Sequence, residues 1–280
     1  MKLTEAQKKQ IVDLKNKGYS SRKIAEIVLG FKSKKSTIND FLNKYKTTYM
    51  FEEPILPKAK ILFLDIENAP CIGYYWQRWK TTIHESQVKS ESFILSYAYS
   101  WLGDEEVVVS YLKHNEVINE DDSRLVKELQ KLLSEADIVV AHNGIDFDIP
   151  IINTRMVYHD IKQPLPYKIV DTCRIAKKYF RFPSNSLKSL ANYLKLSNRK
   201  SETNGFEMWK GYLTGDKEFI DKMTDYNAND VIVLEELYIK LRPWDKLHPN
   251  VGLYDTQMVC PTCGSDDLIP QKKQAYTGLS

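Results

Sequence analysis

The sequence predicts an α/β protein, a mixed sheet flanked by helices and preceded by a small all-α domain. Three observations predict it. Ile61-Leu62-Phe63-Leu64 is a continuous apolar run, the pattern of a strand buried on both faces. Strand-like segments follow that run first and β–α alternation comes after them, which argues for a mixed sheet. The N-terminal segment differs in both period and charge. Residues 1–50 hold 12 Lys/Arg against 4 Asp/Glu, a balance of +8, while the rest of the chain holds 28 against 33, a balance of −5.

The elements of the head follow from its apolar spacing. Thr4 is placed to cap a first helix with Ile11, Val12 and Leu14 on its apolar face, ending at Lys17-Gly18. Ser20 or Ser21 caps a second helix, with Ile24, Ala25, Ile27 and Val28 inward. Gly30-Phe31-Lys32-Ser33 leads into a third, from about residue 36 to 45, with Ile38, Phe41 and Leu42 inward. This trio, over roughly forty residues, resembles a helix-turn-helix of the resolvase and sigma-factor type. In that motif the third helix enters the major groove by its N-terminal end, which implies Lys34, Lys35, Ser36, Thr37 and Asn39 as DNA-contacting side chains. A basic head on a mildly acidic body agrees with phosphate contact at one end. A protein-binding or purely structural bundle has the same periodicity and stands as the alternative.

The head is assigned residues 1–47, and residues 48–60, with Pro54 and Pro57, read as a linker. The α/β domain is assigned residues 61–245. After the first strand come strands over 93–101 and 107–112, separated by a turn at Gly103-Asp104. Residues 123–134 form an amphipathic helix with Leu125, Leu129, Leu132 and Leu133 on one side. A short strand at 137–141, a helix at 149–158 and a strand at 169–171 follow, then helices at 186–194 and 216–241.

Composition narrows the classes. With 42% hydrophobic and 28% charged residues the chain has the make-up of a globular protein. It contains no apolar run of the roughly 18 residues needed for a membrane span, and its start lacks the apolar stretch of a signal peptide. Cytoplasmic use is therefore expected. Four cysteines, at 71, 173, 260 and 263, are too few and too unevenly placed for a disulfide framework.

Carboxylates carry the chemistry. Asp65 and Glu67 alternate along the first strand and so project to one face, where two acids repel unless a cation joins them. Hard divalent ions suit such oxygen ligands. A second group is Asn143-Gly144-Ile145-Asp146-Phe147-Asp148, running from a strand into a helix, where Asp148 also reads as an acid placed by the helix dipole. Asp146 reads as a loop acid outside the site, and Phe147 as core or as a wedge beneath it. A third group is Tyr226-Asn227-Ala228-Asn229-Asp230, in which Tyr226 and Asp230 share a helix face one turn apart.

In this order the three groups resemble the DEDD exonuclease superfamily, in its tyrosine-bearing branch, on a ribonuclease H-like fold. Asp65 and Glu67 match its Asp-X-Glu motif, Asn143 to Asp148 its Asn-x-x-x-Phe-Asp motif, and Tyr226 with Asp230 its Tyr-x-x-x-Asp motif. The wording is especially similar to the proofreading domains of family B DNA polymerases and to phage exonucleases, across about residues 61–242. The resemblance implies a 3′–5′ exonuclease using two Mg²⁺ or Mn²⁺ ions. Asp65 would bridge the ions, Glu67 would hold the nucleophile-side ion, and Asp148 and Asp230 would complete the ligand set. Tyr226 would orient the attacking water, because a phenol with a pKa of about 10 is a poor base at neutral pH. DNA is the expected partner, as single strands or duplex ends, with RNA also open. Two alternatives stand beside it: a DNA-binding regulator on an inactive nuclease scaffold, and a structure-specific endonuclease or recombination protein.

Substrate grip is expected from basic and aromatic side chains near the motifs. Arg155, Arg174, Lys177, Lys178 and Arg181 are candidates for phosphate, or are solvated helix charges. Tyr74, Tyr75, Trp76 and Trp79 either stack bases or cover a sheet edge. In the tail, residues 246–280, Cys260-Pro261-Thr262-Cys263-Gly264 has the form of half a zinc ribbon, where two thiolates bind a tetrahedral Zn²⁺ that needs two further ligands. Cys71 and Cys173 read as core thiols.

Overall fold

The structure, a computed structural model, describes residues 3–16, 20–48, 59–197, 205–255 and 258–268. The expected helix end at Lys17-Gly18 and nearly all of the expected linker lie outside these residues. The chain divides into two compact units, Met1–Ile55 and Leu56–Ser280.

In the first unit, α1 (Glu5–Asn16), α2 (Ser21–Leu29) and α3 (Lys35–Thr48) bury Ile11, Ile24, Ala25, Leu29, Ile38 and Leu42 together. Thr4 and Gln7 cap α1 reciprocally: Gln7 N–H donates to the Thr4 hydroxyl at 3.2 Å and Thr4 N–H to Gln7 Oε1 at 3.0 Å. Ser20, not Ser21, caps α2, and Gly30 ends it at φ 73°, a left-handed position suited to glycine. The inward stripe of α2 runs through Ile24, Ala25, Val28 and Leu29. Ile27, expected inward, falls off that stripe and is exposed, and Leu29 takes its place. A 3₁₀ turn (Lys32–Lys34) precedes α3, so Lys34 sits in the turn while Lys35 and Ser36 begin the helix, all three exposed.

The second unit is built on a sheet. In chain order it runs β1 (Ile61–Asn68), β2 (Ile72–Gly73), β3 (Val88–Ser90), β4 (Ile94–Trp101), β5 (Val108–Tyr111), α4 (His114–Ile118), α5 (Ser123–Glu135), β6 (Ile138–Ala141), α6 (Asp148–Tyr158), β7 (Lys168–Asp171), α7 (Thr172–Tyr179), α8 (Leu187–Tyr193), α9 (Glu207–Leu213) and α10 (Lys217–Leu241). The five-stranded sheet has the order β5-β4-β1-β6-β7, antiparallel on the β4–β5 side of β1 and parallel on the β6–β7 side. The mixed sheet flanked by helices is the predicted class. The β2–β3 pair and α4, α7 and α9 were not predicted. Each is at most eight residues long, too short to show a period above the surrounding sequence.

Helices cover both faces of β1. Leu62, Leu64 and Ile66 pack with Leu125, Leu129, Ile152 and Met156 of α5 and α6. Ile61 and Phe63, on the other face, pack with Ile175, Leu190, Val231 and Leu234 of α7, α8 and α10. Asp65 and Glu67 continue this second series. On β4 the residues in register with Phe63, Asp65 and Glu67 are Ser100, Ala98 and Ser96, all small and buried. Small side chains there let the long helix α10 lie close to the sheet.

A charged network fastens the first face. The fully buried Asp122 accepts hydrogen bonds from Ile94 N–H at 2.8 Å and from Arg155 through Nε at 2.8 Å and Nη2 at 2.7 Å, with His159 Nε2 against Oδ1. This joins the entry of α5 to β4 and α6. No described helix is long and apolar enough to cross a membrane.

Candidate active site

The site begins where β1 outruns its parallel neighbour. β6 pairs with β1 only at Ile61, Leu62 and Phe63, and β6 turns away after Ala141. Beyond that point the chain must satisfy β1 backbone groups otherwise, because a buried unpaired N–H is costly. Asp148, at the first turn of α6, does so: its Oδ1 accepts the N–H of Ile66 at 3.2 Å, between Asp65 and Glu67. The second motif is thereby tied to the first by a hydrogen bond.

Asp65, Glu67 and Asp230 converge, each offering a carboxylate oxygen within 4.8 Å of the others. Among the described residues no other group of three or more His, Cys, Asp or Glu has this spacing. Asp148 is not one of the trio and is 3% exposed. Burial pushes its carboxyl up to about 7; the Ile66 N–H and its own N–H pull it down, and the charge of Asp171 adds to the rise. Tyr226 is buried one turn before Asp230 on α10.

Several residues that the sequence reading did not single out shape the site. Asn227 donates its side-chain N–H to Asp65 Oδ2 at 2.7 Å, and its Oδ1 accepts the hydroxyl of Ser96 at 3.1 Å. Both polar ends of this amide are used, so it fixes the rotamer of Asp65. Asp171, at the end of β7, accepts N–H groups from Asn143 (3.0 Å), Ile145 (3.2 Å), Cys173 (2.9 Å) and Arg174 (3.1 Å). One buried carboxylate thus caps α7 and holds the loop carrying the second motif. The signal was available, since Asp171 precedes Thr-Cys-Arg at a strand-to-helix junction. That loop turns through Asn143 at φ 66°. A Cβ on Gly144 would meet Ala141 Cβ at 2.3 Å and stand 3.5 Å from Asp148 Oδ2, so only glycine lets the chain pass.

An open cleft of about 600 Å³ borders the trio, lined by Asp65 and Asp230 together with His142, Asn143, Cys173, Lys177, Asn185 and Ser186. His142 faces the Asn185 carbonyl through Nε2 at 2.8 Å, so that nitrogen carries the hydrogen, and its Nδ1 lies 2.9 Å from the Thr172 hydroxyl. Burial raises the Cys173 thiol, which makes it an uncharged lining group and no nucleophile.

The cations expected to grip phosphate separate. Lys177 lines the cleft. Arg155 does not reach it: its guanidinium is buried against Asp122, which corrects its place among the phosphate candidates. Arg174 pairs with Asp146 at 2.7 Å, Lys178 lies over the Tyr179 ring, and Arg181 donates to the Phe180 carbonyl. Tyr74, Tyr75, Trp76 and Trp79 cover no sheet edge; they stand in solvent, Trp76 95% exposed. Phe147 is 46% exposed, which excludes the core alternative of its two readings. Cys71 is exposed, unlike the core thiol expected, whereas Cys173 is buried.

A family model described as RNase_H_2, of the RNase_H superfamily, matches residues 85–242. That span runs past Asp148, Tyr226 and Asp230 and begins after β1. A search of curated proteins finds no match. Among solved structures, the chain is similar to the family B DNA polymerase from the hyperthermophilic archaeon Pyrobaculum calidifontis, with a TM-score of 0.50 and 18% identity. The likeness covers 69% of this chain and 26% of that one, so the chain spans about a quarter of the polymerase's length.

Proposed function

The chain belongs to the RNase_H superfamily, and we propose on that footing that it is a metal-dependent 3′–5′ exonuclease acting on DNA. The observation that carries the reading is the convergence of Asp65, Glu67 and Asp230 within 4.8 Å. Three carboxylates at that distance repel strongly, and hard oxygen donors in this number fit Mg²⁺ or Mn²⁺. The fit extends to Asp148, whose carboxyl burial pushes up to about 7 and whose charged form a cation beside it would favour. Asp65, Glu67, Asp148 and Asp230 would hold two such ions. Bound there, they would lower the pKa of a water and neutralise charge on the leaving 3′-oxygen.

The protein's own side chains do the rest. Asn227 holds Asp65 through Oδ2 and so fixes how its carboxylate faces the site. Tyr226 orients the attacking water through its hydroxyl, the better role for a phenol, a poor base at neutral pH. Lys177 is the cation of the cleft lining, placed to meet a substrate phosphate. The exposed Tyr74, Tyr75, Trp76 and Trp79 suit stacking on unpaired bases, which favours a frayed or single-stranded 3′ end. The head, with Lys34, Lys35, Ser36, Thr37 and Asn39, would bring duplex DNA to the enzyme.

Digestion of 5′-labelled single-stranded and duplex DNA with Mg²⁺ or Mn²⁺ tests this. A ladder shrinking from the 3′ end is expected, abolished by EDTA, by Asp65→Ala and by Asp230→Ala, with Tyr226→Phe retaining a remnant. Equal activity in all three variants would refute the site, and internal cuts would make the enzyme an endonuclease.

A further inference from the structure

Two features of the second unit stand outside the nuclease reading. In one, Gly264 N–H closes onto the Cys260 carbonyl at 2.8 Å, so that Cys260 and Cys263 bracket a single tight turn. The other is larger. Across α7 and α8 the chain reverses the charge of the body around it: residues 172–197 hold six Lys/Arg and no Asp or Glu. All six, Arg174, Lys177, Lys178, Arg181, Lys188 and Lys195, are exposed. Acids reach this stretch only from elsewhere in the chain: Asp146 pairs with Arg174 at 2.7 Å, Glu236 accepts Ser197 N–H at 2.8 Å, and Asp245 follows Trp244.

Aromatic rings run through the same stretch. Phe180 and Phe182 stack with ring centroids 4.9 Å apart. Trp244 meets Phe180 edge-on at 5.6 Å, and Tyr193 meets Phe182 edge-on at 5.6 Å. The two phenylalanines are half-buried against the core under α7, α8 and α10. Trp244, in the 3₁₀ turn Arg242–Trp244, and Tyr193 are each 60% exposed. The inner rings are therefore fixed by packing while the outer two offer their faces to solvent. This row is continuous with the cleft, because Lys177 before it and Asn185 and Ser186 after it line that cleft. The connecting segment is tied down: His142 donates to the Asn185 carbonyl at 2.8 Å, and Ser189 N–H donates to the Ser186 hydroxyl at 3.3 Å.

Exposed rings interleaved with cations fit one kind of occupant, a nucleic acid strand whose bases are unpaired, since the rings stack on bases and the cations meet phosphates. Duplex bases already stack on each other and leave such rings unused. An apolar protein face would cover the rings but would also desolvate the cations. We propose that this wall is a track for single-stranded DNA, holding the nucleotides that lie 5′ of the one being removed. Tyr193 and Trp244 are its stacking rings, and Arg181, Lys188 and Lys195 its phosphate contacts. The inference deepens the exonuclease reading and rests on it for the place of the 3′ end in the cleft.

Binding of the full chain to 5′-fluorescein-labelled single strands, read by anisotropy in EDTA, tests the track without cleavage or metal ligation. On a strand of about twelve nucleotides, Tyr193→Ala and Trp244→Ala should each weaken binding roughly 10-fold. Tyr193→Phe and Trp244→Phe keep a ring and should retain most of the parental affinity, which separates stacking from folding. Lys188→Ala and Lys195→Ala should each lower the salt slope of log affinity by about 0.7. The basic head is present in every variant, so its own attraction for DNA cancels in these comparisons. Parental affinity in both ring-to-alanine variants, phenylalanine variants as weak as the alanine ones, or unchanged slopes in both lysine variants would each overturn the proposal. Cleavage by the parent in Mg²⁺ is scored separately. A parent that cleaves while its ring variants bind unchanged removes the track alone. A parent that shows these binding losses but cleaves no DNA keeps the track and removes the exonuclease reading.

Discussion

Asp148 concentrates the tension of the site in one carboxyl. It satisfies the Ile66 N–H that β6 leaves unpaired, yet burial holds it up to about 7, against an ordinary value of 3.8. A raised folded-state pKa contributes stability that is present below the unfolded value and lost as pH rises through the folded one. Metal-free protein should therefore weaken between about pH 4 and pH 7 from this group alone and change no further above that. Asp148→Asn keeps an oxygen for the Ile66 N–H and removes the titration. In EDTA at pH 8 the variant should melt several degrees above the parent, a difference on the order of a few kcal/mol. That gap should grow from pH 4 to 7, and Mg²⁺ should narrow it by stabilising the parent alone. Scanning calorimetry decides; equal melting at pH 8 would mean that the carboxyl carries no such burden. Sequence reading could place Asp148 in a motif, but its proton affinity depends on Ile66, 82 positions away, and on burial by other elements.

At the scale of elements, the same residue types divide into structural and substrate-facing roles that sequence does not separate. Arg155 and Lys177 both lie on helices beside the motifs, and both read as phosphate candidates. The distinction comes from what each helix faces. α6 turns Arg155 onto Asp122 under the sheet, while α7, held by the Asp171 cap, presents Lys177 to the cleft. Arg155→Ala should destabilise by about 3–5 kcal/mol by stranding a buried carboxylate, with KM of the folded enzyme unchanged. Lys177→Ala should leave melting near the parent and lower kcat/KM by roughly 10- to 100-fold, the worth of a charge-assisted contact of about 1.5–3 kcal/mol. Steady-state kinetics beside thermal melts separate the two, and unchanged kcat/KM in Lys177→Ala would remove that residue from the grip. The long periodic elements, β1, α5 and α10, were legible because many residues repeat one pattern. Asp65, Glu67, Asp148, Tyr226 and Asp230 were legible as ordered motifs. The supports Asn227 and Ser96 were not, because each works through a contact made only when distant elements pack, whereas Asp171 left a local capping signal but not its hold on Asn143 and Ile145.

Across the whole molecule, charge is distributed unevenly, +8 in residues 1–50 against −5 in the remainder. A cleft that carries Asp65 and Asp230 does not attract a polyanion by itself, and on the proposed reading the basic head would supply the sequence-independent attraction of phosphate. Lys34 and Lys35 are exposed at the turn into α3, so each is free to neutralise one phosphate. On duplex DNA, Lys34→Ala and Lys35→Ala should each lower the salt slope of log affinity by about 0.9, with the loss largest at low ionic strength. The same variants should cleave a saturating short single-stranded substrate at the parental rate, because that reaction needs the cleft and not the head. Fluorescence anisotropy over a salt series, paired with single-turnover cleavage, reads both quantities. An unchanged slope would reassign the head from DNA to another role. A slowed cleavage at saturation would place these lysines in the reaction itself, and the division between a basic recruiting head and an acidic catalytic body would then fail.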